Sequence, residues 1–252
     1  MRPPSVEDQV EQFAQRIENL LASVVLVSEE DYVFTAAPEG TYARGGNTRY
    51  VITQREERGI PLFCEGEEIL FLSYMFSCSC RHSGSWLQVD SSSLKLVCGD
   101  GTPLLHYDYT REATHNTPGA HLNVHASNDT VSQLMLSCMT GKRGRSRRQK
   151  FVKSGIFPTF SNLHLPVGGD RLRPCLEDVL QMTIYEFDID VKDGWQVALE
   201  ESRAEYRKRQ IRAIVREFPD LAYQTLIDEG YDLRFKPERP NHVGTEGNLT
   251  RY

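Results

Sequence analysis

The apolar positions of this chain predict helices near both of its ends. Over residues 5–27 they recur at spacings of three and four, as in an amphipathic helix with one buried face; they are Val6, Val10, Phe13, Ile17, Leu20 and Val24. Ser5, with Asp8 three residues later, supplies a side-chain cap for this helix. From about residue 171 helical spacing returns, and it includes a long charged helix over 195–218 that ends before Pro219.

The middle of the chain is typical of β-strands. Six runs are rich in β-branched, aromatic and other apolar residues, with Gly, Asp, Ser and Pro between them: 48–56, 68–78, 85–90, 94–99, 103–110 and 121–127. The short links favour antiparallel pairing. We therefore predict an α+β fold, with a mostly antiparallel central sheet, an N-terminal helix and a C-terminal helical extension. The predicted division is a sheet domain over 1–170, a helical extension over 171–235 and a poorly ordered polar tail over 236–252.

Composition narrows the class of protein. A hydrophobic fraction of 39% and a charged fraction of 25% predict a folded soluble chain, and a net charge of -6 means that any anion must bind at a local patch. No run of about 18 apolar residues occurs, so we expect no membrane span, and the acidic N-terminal segment does not resemble a secretory signal. The six cysteines form no CxxC pair. They predict buried thiols in a cytoplasmic protein, with a structural zinc site as the alternative.

A polar stripe within residues 104–127 is the candidate catalytic site. Five of the seven histidines of the chain lie between positions 82 and 125. Polar residues alternate with apolar ones in two of the predicted strands, which is the spacing of one sheet face; they are His106, Asp108, His121, Asn123 and His125. Histidine is the side chain best suited to proton transfer near neutral pH. We take His106, Asp108, His121 and His125 as the candidate catalytic residues.

Three uses of this stripe remain open. In a strand, the Cα atoms of His121 and His125 are about 13 Å apart, which is too far for both side chains to bind one metal ion easily. A metal bound by one of them together with His106 and Asp108 is an alternative, but we predict no metal and no cofactor. As general acid and base, two histidines could cleave an RNA phosphodiester by means of its own 2′-hydroxyl. The third use is hydrogen bonding on a half-exposed face.

Two segments are candidate anion-binding sites. The run 141–153 is densely basic and contains no acid, and its Gly and Ser residues predict a mobile loop that carries Arg145, Arg147 and Arg148. In the segment 163–180, Arg171 and Arg173 flank a predicted helix start, where a phosphate or carboxylate can bind, and His164 lies close by in sequence. Arginines that only pair with nearby carboxylates are the alternative there.

The motifs YDY…PxxHLxVH and LHLPVGGDRLRPCLEDVL, within residues 85–190, resemble a family of uncharacterised bacterial proteins. Members of that family resemble accessory proteins of mobile-element, defence or toxin–antitoxin loci. The resemblance implies a toxin or defence role and supplies no catalytic residue.

The sequence therefore predicts a nucleic-acid-acting protein, in its sharpest form a toxin-like or defence-associated ribonuclease that uses histidine acid–base chemistry on RNA. The alternative is a non-catalytic interaction or regulatory protein, in which helix 195–218 binds a protein partner. The oligomeric state does not follow from the sequence.

Overall fold

The computed structural model describes residues 4–26, 49–80, 86–111, 113, 118–126, 129–137, 142–162, 165–167 and 173–233. They form an α+β fold in which one antiparallel sheet of seven strands is packed by helices from both ends of the chain. This confirms the predicted fold class. The predicted tail lies outside the described residues. No helix in the described part of the chain is long and apolar enough to cross a membrane.

The sheet is built around two long strands in its centre. Its strands are β1 Arg49–Thr53, β2 Ile60–Cys64, β3 Glu67–Cys80, β4 Leu87–Cys98, β5 Pro103–Thr110, β6 Ala120–Val124 and β7 Leu165–Pro166. The order across the sheet is β1-β3-β4-β5-β6-β7, and β2 also pairs with β3. β1 and β2 therefore share one edge of the 14-residue β3, each along a different half of it.

The register of β4 against β5 shifts by one residue near the turn that joins them. Leu96 pairs with Leu105, but the next residue of β4, Val97, pairs with Pro103, so Leu104 is an extra residue of β5. Such a bulge sets the alternation of every residue that follows it.

The helices are α1 Val6–Val24, α2 Asp129–Ser137, α3 Lys142–Ser154, α4 Leu176–Phe187, α5 Trp195–Glu217 and α6 Pro219–Asp228, and a short 3-10 turn spans Phe160–Asn162. α1 begins with the predicted cap. The backbone N–H of Asp8 donates to Ser5 Oγ at 3.0 Å, and the backbone N–H of Ser5 donates to Asp8 Oδ2 at 3.0 Å. These bonds satisfy amides that have no partner inside the helix.

One core lies between the sheet and the helices α1, α4 and α5. Its members come from all of these elements, and the fully buried ones include Leu21, Leu72, Tyr74, Leu96, Leu180 and Leu199. α4 and α5 therefore share the core of the sheet. They cover the face of the sheet that carries the apolar residues of each strand.

Several elements differ from the sequence prediction. β2, α2 and β7 were not predicted. Residues 85–90 and 94–99 were predicted as two strands but belong to one, because Ser91, Ser92 and Ser93 between them pair with both β3 and β5. The prediction of a mobile loop over 141–153 is wrong, since α3 is a helix. Its Arg, Lys and Gln residues have good helix propensity, and Gly144 is buried, so this glycine lies where the helix is covered.

Candidate active site

The two halves of the polar stripe pair directly, as we predicted. In the antiparallel pair of β5 and β6, Asp108 lies opposite His121 and His106 lies opposite Asn123. Because residues opposite each other share a face, the polar side chains of both strands gather on the side of the sheet that faces away from α1 and α5. We call this surface the histidine face; it consists of Ser93, Lys95, His106, Asp108, His121, Asn123 and His125.

A chain of three side chains crosses the histidine face. Nε2 of His125 is 2.9 Å from Nδ1 of His106, and the centres of the two rings are 5.0 Å apart. Nε2 of His106 is 3.3 Å from Asp108 Oδ2. The other carboxylate oxygen, Asp108 Oδ1, accepts a hydrogen bond of 2.7 Å from Ser93 Oγ. The carboxylate, His106 and His125 thus form a continuous line along which a proton can be held or passed.

His121 lies at the inner end of this network. Its side chain is 8% exposed, its Nδ1 is 3.1 Å from the Pro118 carbonyl oxygen, and its Nε2 is 3.9 Å from Asp108 Oδ2. Because a carbonyl oxygen only accepts, Nδ1 of His121 carries a proton. His121 therefore lies next to Asp108 on the more buried side of the network, and His106 and His125 lie nearer to solvent.

Two groups of the network have shifted pKa values. Burial by itself raises the pKa of Asp108, but hydrogen bonds from His106 and Ser93, together with the charges of His106 and His121, outweigh burial and lower the pKa. Burial, followed by the charges of His106 and Lys95, lowers the pKa of His125. At neutral pH Asp108 is therefore ionised and His125 is neutral.

Sequence reasoning missed the contribution of β4 to this site. Ser93 and Lys95 lie opposite Asp108 and His106 in the register, so β4 places a hydroxyl and an ammonium group beside the network. The charge of Lys95 reaches His125 strongly enough to lower its pKa. Polar residues at alternate positions of β4 indicate a polar face. This pattern was missed because the segment was predicted as two separate strands.

The predicted anion-binding residues separate into two groups. The guanidinium carbon of Arg173 is 3.8 Å from the centre of the Tyr109 ring. Tyr109 follows Asp108 directly in β5, so its side chain points to the opposite, helical side of the sheet. Arg173 and the histidines therefore cannot contact one phosphate together. Arg171 and His164 lie outside the described residues.

The basic helix α3, in contrast, lies on the side of the histidine face. Nη2 of Arg147 donates to the Asn162 carbonyl oxygen at 3.1 Å, and the amide Nδ2 of Asn123 donates to the Ser161 carbonyl oxygen at 2.7 Å. The 3-10 turn thus joins α3 to β6. Arg145 and Arg148 are exposed on the same helix.

Imidazole nitrogens of the site face each other or Asp108 and do not converge on a point where a metal ion could bind. The His106–His125 hydrogen bond and the two imidazoles that face Asp108 use groups that would otherwise bind a metal. Among the residues that the structure describes, no group of three or more His, Cys, Asp or Glu side chains is placed to hold a metal ion. The arrangement suits proton transfer.

The chain matches no protein-family model, no curated protein and no solved structure. The geometry of the histidine face is therefore the basis for the functional conclusion.

Asp108 provides a test of the network in the folded protein alone. Because its pKa is lowered, the carboxylate contributes stability above the ordinary Asp pKa of about 3.9, and this contribution is lost as the pH falls through the lowered value. We expect Asp108→Asn to lose less stability than the parent between pH 7 and pH 2, measured by urea unfolding. Ser93→Ala, which removes one of the hydrogen bonds, should be intermediate. Parallel curves for all three proteins would exclude a stabilising role for the network.

Proposed function

We propose that this protein is a ribonuclease that cleaves RNA by histidine acid–base catalysis on the histidine face. The observation that carries the proposal is the contact of His106 with His125, held at one end by the Asp108 carboxylate and open to solvent at the other. Cleavage of RNA next to its 2′-hydroxyl needs one base, one acid and a cation, and these three groups lie together here.

His125 acts as the base. Its lowered pKa favours the neutral ring, and its Nε2, 2.9 Å from Nδ1 of protonated His106, then carries the lone pair, which a phosphodiester between the two rings uncovers. A neutral nitrogen that can be reached from solvent can accept the proton of the 2′-hydroxyl as the 2′-oxygen attacks phosphorus.

His106 acts as the acid. Asp108 lies 3.3 Å from its Nε2 and can hold the protonated ring as an ion pair. A phosphodiester that enters between the two rings replaces their direct hydrogen bond, which leaves the N–H of His106 free to protonate the 5′-oxygen. The 2′-oxygen–phosphorus bond forms, the bond from phosphorus to the 5′-oxygen breaks, and the products are a 2′,3′-cyclic phosphate and a 5′-hydroxyl.

Lys95 supplies the positive charge. It is exposed and lies beside His106 in the register. A cation at this position stabilises the negative oxygens of the phosphorane transition state.

The cellular setting is part of the same proposal. The resemblance of the YDY…PxxHLxVH and LHLPVGGDRLRPCLEDVL motifs supports a toxin-like or defence-associated ribonuclease. The five described cysteines are free thiols, which fits the reducing cytoplasm, where such an enzyme would meet RNA.

The purified chain should cleave RNA and leave two related polymers intact. DNA lacks the 2′-hydroxyl, and 2′-O-methyl RNA has it blocked, so neither can supply the nucleophile. We expect cyclic-phosphate ends on the RNA fragments, detected by mass spectrometry, with equal rates in the presence and absence of a chelator. Cleavage of DNA, or loss of activity with the chelator, would contradict this mechanism.

A second candidate function is assembly without catalysis. It is favoured by exposed apolar side chains in the C-terminal part of α5 and in α6. α5 buries only Trp195 and Leu199 among its side chains, and α6 buries none. Large apolar side chains are exposed beyond them, including Ile211, Val215 and Leu221. If a second copy of the chain covers this surface, light scattering gives a dimer mass. A dimer without any RNA cleavage would favour this candidate.

A further inference from the structure

We propose that a groove between α3 and residues 155–162 binds single-stranded RNA, with one base stacked on Phe157 and phosphates bound by Lys150 of the groove and by Arg148, an exposed neighbour on α3. This deepens the proposed function and rests on it, because it names the form of RNA that reaches the histidines. The groove has a volume of about 290 Å³ and is lined by Ser146, Arg147, Lys150, Ile156, Phe157 and Asn162, among others. This is near the low end of the range, about 300–1,000 Å³, in which proteins bind organic groups.

The charge of α3 suits a polyanion. The helix contains seven basic residues and no acidic one, in a chain whose net charge is -6. No acidic side chain forms an ion pair with Arg148, Lys150 or Lys153 in the described residues, and all three are exposed. Seven like charges on one helix repel each other, and bound phosphates relieve that repulsion.

The far end of the groove presents an aromatic surface. The Phe157 side chain is 57% exposed, and its ring lies 4.6 Å from that of Phe151, centre to centre, with 57° between the planes. Phe151 therefore supports one part of the Phe157 ring and leaves the rest open. Exposed rings beside a basic groove are the usual means by which proteins bind unpaired bases, because every base has a face that can stack.

The groove is connected to the candidate active site by two hydrogen bonds through one turn. Arg147 bonds to the carbonyl of Asn162, and Asn123, between the two histidines of β6, bonds to the carbonyl of the adjacent Ser161. The turn thereby holds the groove on the side of the sheet that carries His125. Single-stranded RNA suits both places, because its bases can stack and its 2′-hydroxyl can react.

A membrane surface fits the same helix less well. Helices that lie on membranes have an apolar stripe along their length. In α3 the large apolar residues are only Phe151 and Val152, both near its end. Ile156 and Phe157, which follow the helix, line the groove, and Phe151 packs against the Phe157 ring.

The test measures binding of a fluorescent 2′-O-methyl oligonucleotide of 12 residues, which cannot be cleaved, as a single strand and as a hairpin duplex. Phe157→Ala should weaken single-strand binding about fivefold to a hundredfold, the range for loss of one base–aromatic stack, and should hardly affect the duplex. Phe157→Trp should retain binding, which separates loss of stacking from misfolding. Val152→Ala, at an exposed apolar residue of α3 that does not line the groove, is the matched control and should bind as the parent does.

The contribution of the basic side chains is measured by the salt dependence of binding. Arg148→Ala with Lys150→Ala should weaken binding of both forms and reduce the slope of log affinity against log salt by roughly 0.7 per lost phosphate contact. Unchanged binding in Phe157→Ala would overturn the proposal, and so would tighter binding to phosphatidylserine vesicles than to the oligonucleotide.

The two proposals can fail separately. Phe157-dependent binding by a parent protein that cleaves no RNA would support the groove and reject the ribonuclease. RNA cleavage with the same affinity for single strands in the parent and in Phe157→Ala would reject the groove alone.

Discussion

His125→Ala and His106→Ala should each slow RNA cleavage by at least about a hundredfold, the low end for loss of a general base or acid. In the proposed mechanism His125 takes the proton of the 2′-hydroxyl and His106 returns one to the leaving oxygen, so neither loss can be offset by the other ring. Both side chains lie on the polar face and outside the apolar core, so both variants should remain folded, as checked by circular dichroism.

The pH profile of the parent provides a second check on the same assignment. The proposed mechanism needs neutral His125 and protonated His106, so the rate should pass through a maximum and fall on both sides. The acidic limb belongs to His125, whose pKa is lowered by burial and by the charges of His106 and Lys95. In Lys95→Gln this limb should move to higher pH and the maximal rate should fall. A profile that is the same in both proteins would remove Lys95 from the site.

Leu199→Ala should destabilise the whole protein by about 2–5 kcal/mol, the usual cost of truncating a fully buried leucine. Leu199 is 1% exposed and belongs to the same core cluster as the sheet and α1. Because α5 shares that core, the described sheet and helices should unfold in one cooperative transition. Urea unfolding followed by circular dichroism and by tryptophan fluorescence measures both quantities.

Val197→Ala is the matched control for this change. It lies two residues away on α5 with its side chain 58% exposed, so its free energy of unfolding should stay within about 0.5 kcal/mol of the parent. A second transition, or equal losses in the two variants, would mean that the helical extension folds as a unit of its own.

The parts of the fold that were predicted correctly have a strong local signal. The apolar spacing of α1 and the Ser5–Asp8 cap fix that helix without help from the rest of the chain. The alternation in β5 and β6 fixes both the strands and the pairing of Asp108 with His121. In these segments the sequence pattern and the tertiary contacts favour the same structure.

The parts that were missed depend on contacts that a pattern does not contain. The serines between residues 90 and 94 have no strand signal of their own, and pairing with β3 and β5 on both sides keeps them extended. α3 is polar nearly all round and has no apolar period, so its basic residues resembled a loop. Arg173 was predicted to bind an anion because of its charge and its place before a helix, but the side of the sheet on which it lies follows from tertiary contacts such as that with Tyr109.

The bulge at Leu104 determines which side of the sheet each later residue of β5 faces. If Leu104 were removed, every later residue of β5 would face the other side of the sheet. Tyr107 and Tyr109 would then face away from the helices, and His106 and Asp108 would face the apolar core. One backbone irregularity thus decides which side of the sheet carries the histidine face. In the proposed mechanism, the length of this hairpin is therefore as important for activity as the identity of either histidine.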